Sequence, residues 1–196
     1  MQETSVTLLG RLSENPSEAD WQTLRHIYSP FIQRLVSQRF GLDEATADDV
    51  TQDVMIVLLR VMPRFDRQRP GSFRRFLRVL TERRVLRVLR RQSRPGARGI
   101  GGDHSAVMDD FVDRRDDFHA SWEREHWQHV FDQLRHLVWN TLEPQTREAF
   151  HLLVDQRLTP IDAANRLGVQ VAVVYAAKCR VLRKMRELGE GLIDFE

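Results

Sequence analysis

The sequence predicts an all-α protein. Apolar residues recur at helical spacing in most windows, alternating strand-type patterns are nearly absent, and Ser, Thr, Asp, Gly and Pro stand where helices begin and end. The periodicity falls into two blocks around a Gly- and Pro-containing stretch. This predicts two small helical domains, residues 1–92 and 121–196, joined by a flexible linker at 93–120.

The first expected helix opens at Ser17-Glu-Ala-Asp20, which reads as a capping box, and carries Leu24, Ile27, Tyr28, Phe31, Ile32, Leu35 and Val36 on one stripe. Gly41 ends it as a C-cap. The next opens at Thr46-Ala-Asp-Asp49 and runs through Val50, Val54, Met55, Val57, Leu58, Val61 and Met62 to Pro63. Apolar on nearly all sides, it is expected to be buried on several sides or to lend a face to a partner.

A turn at Pro70-Gly71-Ser72 precedes a long helix from about Phe73 to Gln92. Phe73, Phe76, Leu77 and Leu80 share one face, and Val85, Leu86, Val88 and Leu89 lie roughly opposite. Its core-facing stripe is therefore expected to change sides near Thr81-Glu82. From Ser93 to about His119 the pattern dissolves into a Gly-rich and then an acidic stretch. Periodicity resumes with Trp127, Val130, Phe131, Leu134, Leu137 and Val138. Three shorter helices are expected at about Glu143 to Gln156, Thr159 to Leu167 and Gln170 to Leu188.

Composition narrows the class. The 196 residues are 41% hydrophobic, too apolar for a disordered chain. Cys179 stands alone, which excludes an intramolecular disulfide and a CxxC metal site. The longest apolar run, Val54 to Leu59, is too short to span a membrane, and the N-terminus shows no signal-peptide pattern, so a cytoplasmic protein is expected. The near-neutral total of 30 basic and 28 acidic residues hides an asymmetry. Residues 64–98 hold thirteen Arg, no Lys and two acids, a local charge of +11 that leaves −9 for the rest. Such a block is the footprint of a polyanion partner, and arginine favours bidentate phosphate and base-edge contacts.

The sharpest local pattern is Thr159-Pro-Ile-Asp-Ala-Ala-Asn-Arg-Leu-Gly-Val-Gln170 followed by a basic helix. Thr159 is an N-cap with Pro at the first helical position, Ala163 and Ala164 allow close helix crossing, and Gly168 supplies a positive-φ turn. The spacing is that of a helix-turn-helix whose second helix enters the DNA major groove. On that helix Val174, Ala177, Val181 and Met185 form the inward stripe. Ala172, Tyr175, Ala176, Cys179, Arg180 and Arg183 face outward, with Lys178 beside them.

These residues resemble a known family. LTPIDAANRLGVQVAVVYAAKCRVLRKMREL looks like region 4 of sigma-70-type RNA polymerase sigma factors, and DDVTQDVMIVLLRVMPRFD with RPGSFRRFLRVLTERRVLRVLRR resembles region 2. Two such regions joined by a short linker resemble the plan of the extracytoplasmic-function (group IV) sigma factors. The resemblance implies a non-enzymatic initiation factor without cofactor. Its partners would be promoter DNA and core RNA polymerase (the largest-subunit clamp helices and the flap), and the family admits an anti-sigma factor as a further partner. It assigns core docking to Asp48, Asp49, Gln52 and Asp53, with Val54 and Leu58 nearby. It assigns −10 recognition and melting to Phe65, Arg74, Arg83, Arg84, Arg87, Arg90 and Arg91, with the loop Asp66 to Ser72 as a pocket wall, and −35 recognition to Ala172, Tyr175, Ala176, Lys178, Arg180 and Arg183. Phe65 and Phe73 also stand at core spacing, which favours burial over stacking on DNA.

Other constellations carry less. His119, His126 and His129 have a ligand-like spacing but no nearby Cys and read as a solvated helix face. Asp48, Asp49, Asp53 and Asp66 lack the catalytic His or Lys of a metal-dependent nuclease. Gly96 to Gly102 lacks the Lys-Ser/Thr ending of a phosphate loop. The competing reading is a helix-turn-helix regulator acting without polymerase docking, which would need a dimerisation or ligand domain in the N-terminal half.

Overall fold

In the computed structural model, which describes residues 7–65, 71–92 and 104–193, the regular elements are α-helices and one 3-10 turn, with no strand among the described residues. The helices are α1 (Leu8–Glu14), α2 (Glu18–Phe40), α3 (Glu44–Val61), α4 (Ser72–Gln92), α5 (His104–Trp139), α6 (Pro144–Val154), α7 (Pro160–Leu167) and α8 (Val171–Gly189). The 3-10 turn is Met62–Arg64, after α3.

The expected caps form where the chemistry places them. Ser17 accepts from the Asp20 amide while the Asp20 carboxylate takes the Ser17 amide at 3.1 Å. Arg11 of α1 also reaches that carboxylate, at 2.7 Å, which ties α1 to α2. Burial alone would raise the Asp20 pKa, but the hydrogen bonds from Ser17 and Arg11 outweigh it and hold the group below its ordinary value. Gly41 closes α2 at φ 64°, as a left-handed C-cap. Helix α3 opens earlier than expected: its N-cap is Asp43, whose carboxylate accepts from the Thr46 amide at 2.8 Å.

On α4 the buried positions are Phe73, Leu77, Leu80, Thr81 and Val85. The stripe does not change sides. It advances by four-residue steps through Thr81, whose hydroxyl donates to the Leu77 carbonyl at 2.9 Å and so enters the core satisfied. A stripe drawn from the apolar residues alone leaves Thr81 out and so looks broken there.

The largest departure is α5. Residues 104–120, expected to be linker, are the first half of a 36-residue helix; residues 93–103 lie outside the described ones. Phe111, Phe118, Trp122, His126, Val130, Leu134 and Val138 make a buried stripe that winds along it. The helix packs on α2, α4 and α8, and its contact with α2 runs from Phe111 against Phe40 to His136 against His26. Phe111 stacks on Phe40, Phe118 tilts against the same ring, and Trp122 meets Phe31 edge-on at 4.9 Å between centroids. Farther along the same helix, beyond that segment, two acids find arginines of α2 and α4. Glu125 takes Arg34 at 2.6 Å, and Glu123 pairs with Arg74 at 3.1 Å. Arg114 donates to the Phe40 carbonyl at 2.8 Å, satisfying a group left open at the end of α2.

One apolar cluster therefore runs from Leu8 to Ile193, and a smaller one of Leu152, Ala163, Ala164 and Val174 lies beneath α6–α8. Gly189 sits where a Cβ would overlap the Leu134 side chain, so the end of α8 approaches α5 closely only because that residue is glycine.

The histidines expected on a solvated face are interface residues. His126 is fully buried with its Nε2 3.2 Å from the Tyr28 hydroxyl, and His129 donates to the Ile27 carbonyl at 2.7 Å. His119 pairs with Glu82 across to α4. Burial, reinforced by Arg74 and the neighbouring His129, lowers the His126 pKa to about 3. Burial also lowers His129, against its bond to Ile27. The His126 ring is therefore neutral in the folded chain near neutral pH, whereas an unfolded histidine takes up a proton near pH 6.5. Stability is thus fully present above that pH and is lost as pH falls below it. Chemical denaturation from pH 7 to pH 4.5 is expected to show a decline of about 1 kcal/mol per pH unit from His126. His126→Phe should flatten it; an unchanged slope would place the acid sensitivity elsewhere.

Candidate nucleic-acid interface

At 100° per residue, Asp49, Gln52, Asp53, Ile56, Leu59 and Arg60 of α3 share one face. All six are exposed, Ile56 at 44% and Leu59 at 43%. Asp48 lies at the edge of this face, where its carboxylate accepts from the Gln52 amide at 2.6 Å. Val54 and Leu58, expected as the apolar companions of the acids, are instead wholly buried. Ile56 and Leu59 take that place, and helical arithmetic started from Asp49 rather than from the apolar run would have found them.

On α4 the arginines divide into two sets. Arg74 and Arg78 face α5 and meet Glu123, and Arg84 lies 3.9 Å from Asp53 of α3. Arg75, Arg83, Arg87, Arg90 and Arg91 are exposed on the outer side. Half-buried Phe76, Val79 and Leu86 stand between them. Gly71, Ser72, Arg75, Phe76, Val79, Leu80 and Arg83 line a cavity of about 510 Å³, and Arg83 continues into a depression shared by Leu86, Arg87, Arg90 and Arg91. Phe73 is entirely buried, while Phe65 is half-buried against it and Phe76, with ring centroids at 5.7 and 5.3 Å. The core assignment thus holds for Phe73, and the surface between the arginines comes from Phe76, with Phe65 behind it. Asp66 and most of the expected pocket wall lie outside the described residues.

This outer strip joins guanidinium groups to apolar surface, the combination that holds a nucleic-acid strand by phosphate contact and base stacking. Residues 24–95 match the family model for sigma-70 region 2. This segment is similar to a sigma-70 region 2 domain. No curated protein matches the chain. The region 2 domain supports a sigma-factor role in RNA polymerase binding and promoter melting. It spans α2, α3 and α4 from Leu24 onward, so the α3 face and the α4 strip belong to the same domain.

The C-terminal helices lie beyond the matched region 2 domain. Thr159 caps α7 by accepting from the Asp162 amide, and Gly168 ends it at φ 65°. Helix α8 then buries Val174, Ala177, Val181 and Met185 and exposes Ala172, Tyr175, Ala176, Lys178, Cys179, Arg180 and Arg183. Arg180 donates to the Thr146 hydroxyl at 3.1 Å, and Arg183 lies 3.8 Å from Glu187 on its own helix. Among the described residues no cluster of three or more His, Cys, Asp or Glu is placed to hold a metal ion, and no helix is long and apolar enough to cross a membrane.

Proposed function

We propose that the chain is a sigma factor of the extracytoplasmic-function plan, which binds core RNA polymerase and directs it to −10 and −35 promoter elements in the cytoplasm. The observation that carries this reading is the region 2 domain with an acidic-apolar α3 face beside an exposed arginine strip. Asp49, Gln52, Asp53, Ile56 and Leu59 form the docking face for the polymerase clamp helices, with Asp48 at its edge. Arg83, Arg87, Arg90 and Arg91 hold backbone phosphates of the −10 region, and Arg74 and Arg84 add to the field from beside them. Flipping a base out of the duplex costs a few kcal/mol, which stacking of about 1–3 kcal/mol per base and phosphate contact offset. The cavity beside Phe76, backed by Phe65, is the place for such a base. Residues 121–196 act as a region 4-like helix-turn-helix on the −35 element, and an anti-sigma factor is a candidate partner. The factor binds and positions; it catalyses nothing itself.

The test is run-off transcription from a promoter library with purified core polymerase, alongside co-migration of chain and core. Promoter-specific transcripts that require the chain are expected. DNA binding without co-migration would instead favour a regulator that acts alone.

Replacing Arg87, Arg90 and Arg91 with Gln is expected to reduce the slope of log affinity against log salt by about 1 for each phosphate that is no longer neutralised. Fluorescence anisotropy on promoter duplex at several salt concentrations measures it. An identical slope would show that the strip faces away from DNA.

A further inference from the structure

We propose that α8 reads the upstream element through thymine methyl groups, by apolar contact from Val173 and Tyr175. The inference deepens the −35 assignment above and rests on it.

The outward arc of α8 has small residues at its centre, Ala172, Ala176 and Cys179. On one flank stands Val173, 40% exposed; on the other stands Tyr175, 52% exposed. Ile161, near the start of α7, is 62% exposed. Seven large apolar side chains are exposed among the described residues, and three of them belong to this one helix pair. Yet Thr159 to Gly189 holds six basic and two acidic residues, so the surroundings suit a polyanion rather than an apolar protein groove.

Along α8 the two kinds of residue are separated. Val171 to Ala177 contains no charged residue, and the cations begin at Lys178. Arg180 is tied to Thr146, and Lys184 donates to the Thr141 carbonyl and hydroxyl at 3.1 Å. The end of the helix that leads into a major groove therefore offers neither arginine nor lysine for a guanine edge. What it offers is aliphatic and aromatic surface around a centre small enough for close approach. On the major-groove edge of DNA, the apolar group available to such a surface is the C5 methyl of thymine. The cations of the later turns are left for phosphates, which position the helix without reading sequence.

The experiment uses the full chain bound to core polymerase to select duplexes from a library randomised over the upstream element, with core alone as subtraction. The selected duplex is then resynthesised with deoxyuridine at each thymine in turn, which removes the methyl and leaves every hydrogen-bonding group. Selected sites are expected to carry thymines, and each contacted one should weaken binding about fourfold on conversion to deoxyuridine, the effect of burying one methyl group. Val173→Ala and Tyr175→Ala, at exposed positions that leave the fold intact, should each lose the distinction at the thymine that side chain contacts and keep it at the others. Equal binding of both duplexes by the unaltered protein overturns the inference alone. Retention of no duplex beyond core alone overturns the promoter-binding reading with it.

Discussion

Trp122→Ala is expected to cost about 3–5 kcal/mol of folding stability, measured by urea denaturation. The indole has no exposed surface and lies among Phe31, Phe118 and His126, at centroid distances of 4.9, 5.5 and 6.0 Å. It belongs to α5, while Phe31 belongs to α2, so the loss would register on the N-terminal half as well as on α5. Trp122→Phe should cost much less, because it keeps most of the ring contact and removes an indole N–H that has no hydrogen-bond partner. An α5 that did not pack on α2 would tolerate both changes nearly equally. A cost for Trp122→Ala below about 1 kcal/mol, within the range of surface substitutions, would mean that α5 does not pack on α2 in solution.

The second large effect is expected at the α3 face. Reversing charge in Asp49→Lys with Asp53→Lys should weaken association with core polymerase by about tenfold or more, since like charges brought together across an interface cost several kcal/mol. Both carboxylates are exposed, and the reversal forfeits only the surface pair of Asp53 with Arg84, so folding stability should fall by no more than about 1 kcal/mol. Ile56→Asp, alone, tests the apolar part of the same face. Unchanged retention of the double variant on immobilised core would assign docking to another surface.

Much of this was readable from residue order. The capping box at Ser17 and Asp20, the glycine stops at Gly41 and Gly168, and the Pro160 helix start are local devices, each satisfied within a few residues of chain. They form as expected for that reason. The inward stripe of α8 was equally legible, because Val174, Ala177, Val181 and Met185 keep strict helical spacing on one helix. The arginine block required only counting.

Other features depend on partners far away in sequence. The seven-residue α1 is too short for periodicity to reveal, and Leu8, Leu9 and Leu12 gain their burial from α2, the 3-10 turn and α8. In α5 Phe111 and Phe118, seven residues apart among acids, look like linker until Phe40 of α2 is seen to meet both rings and Arg114 to cap the end of α2. His126 reads as a surface residue until Tyr28 and Trp122 enclose it.

Sequence alone thus determined the helical class, the cationic block and the chemistry offered by each helix face, since these follow from short-range spacing and charge. The tertiary structure decided which arginines are engaged by internal carboxylates and which remain outward, and whether α5 is a tether or a wall of the core. Both depend on contacts between residues about 50 to 100 positions apart, and pattern within one helix carries no information about them.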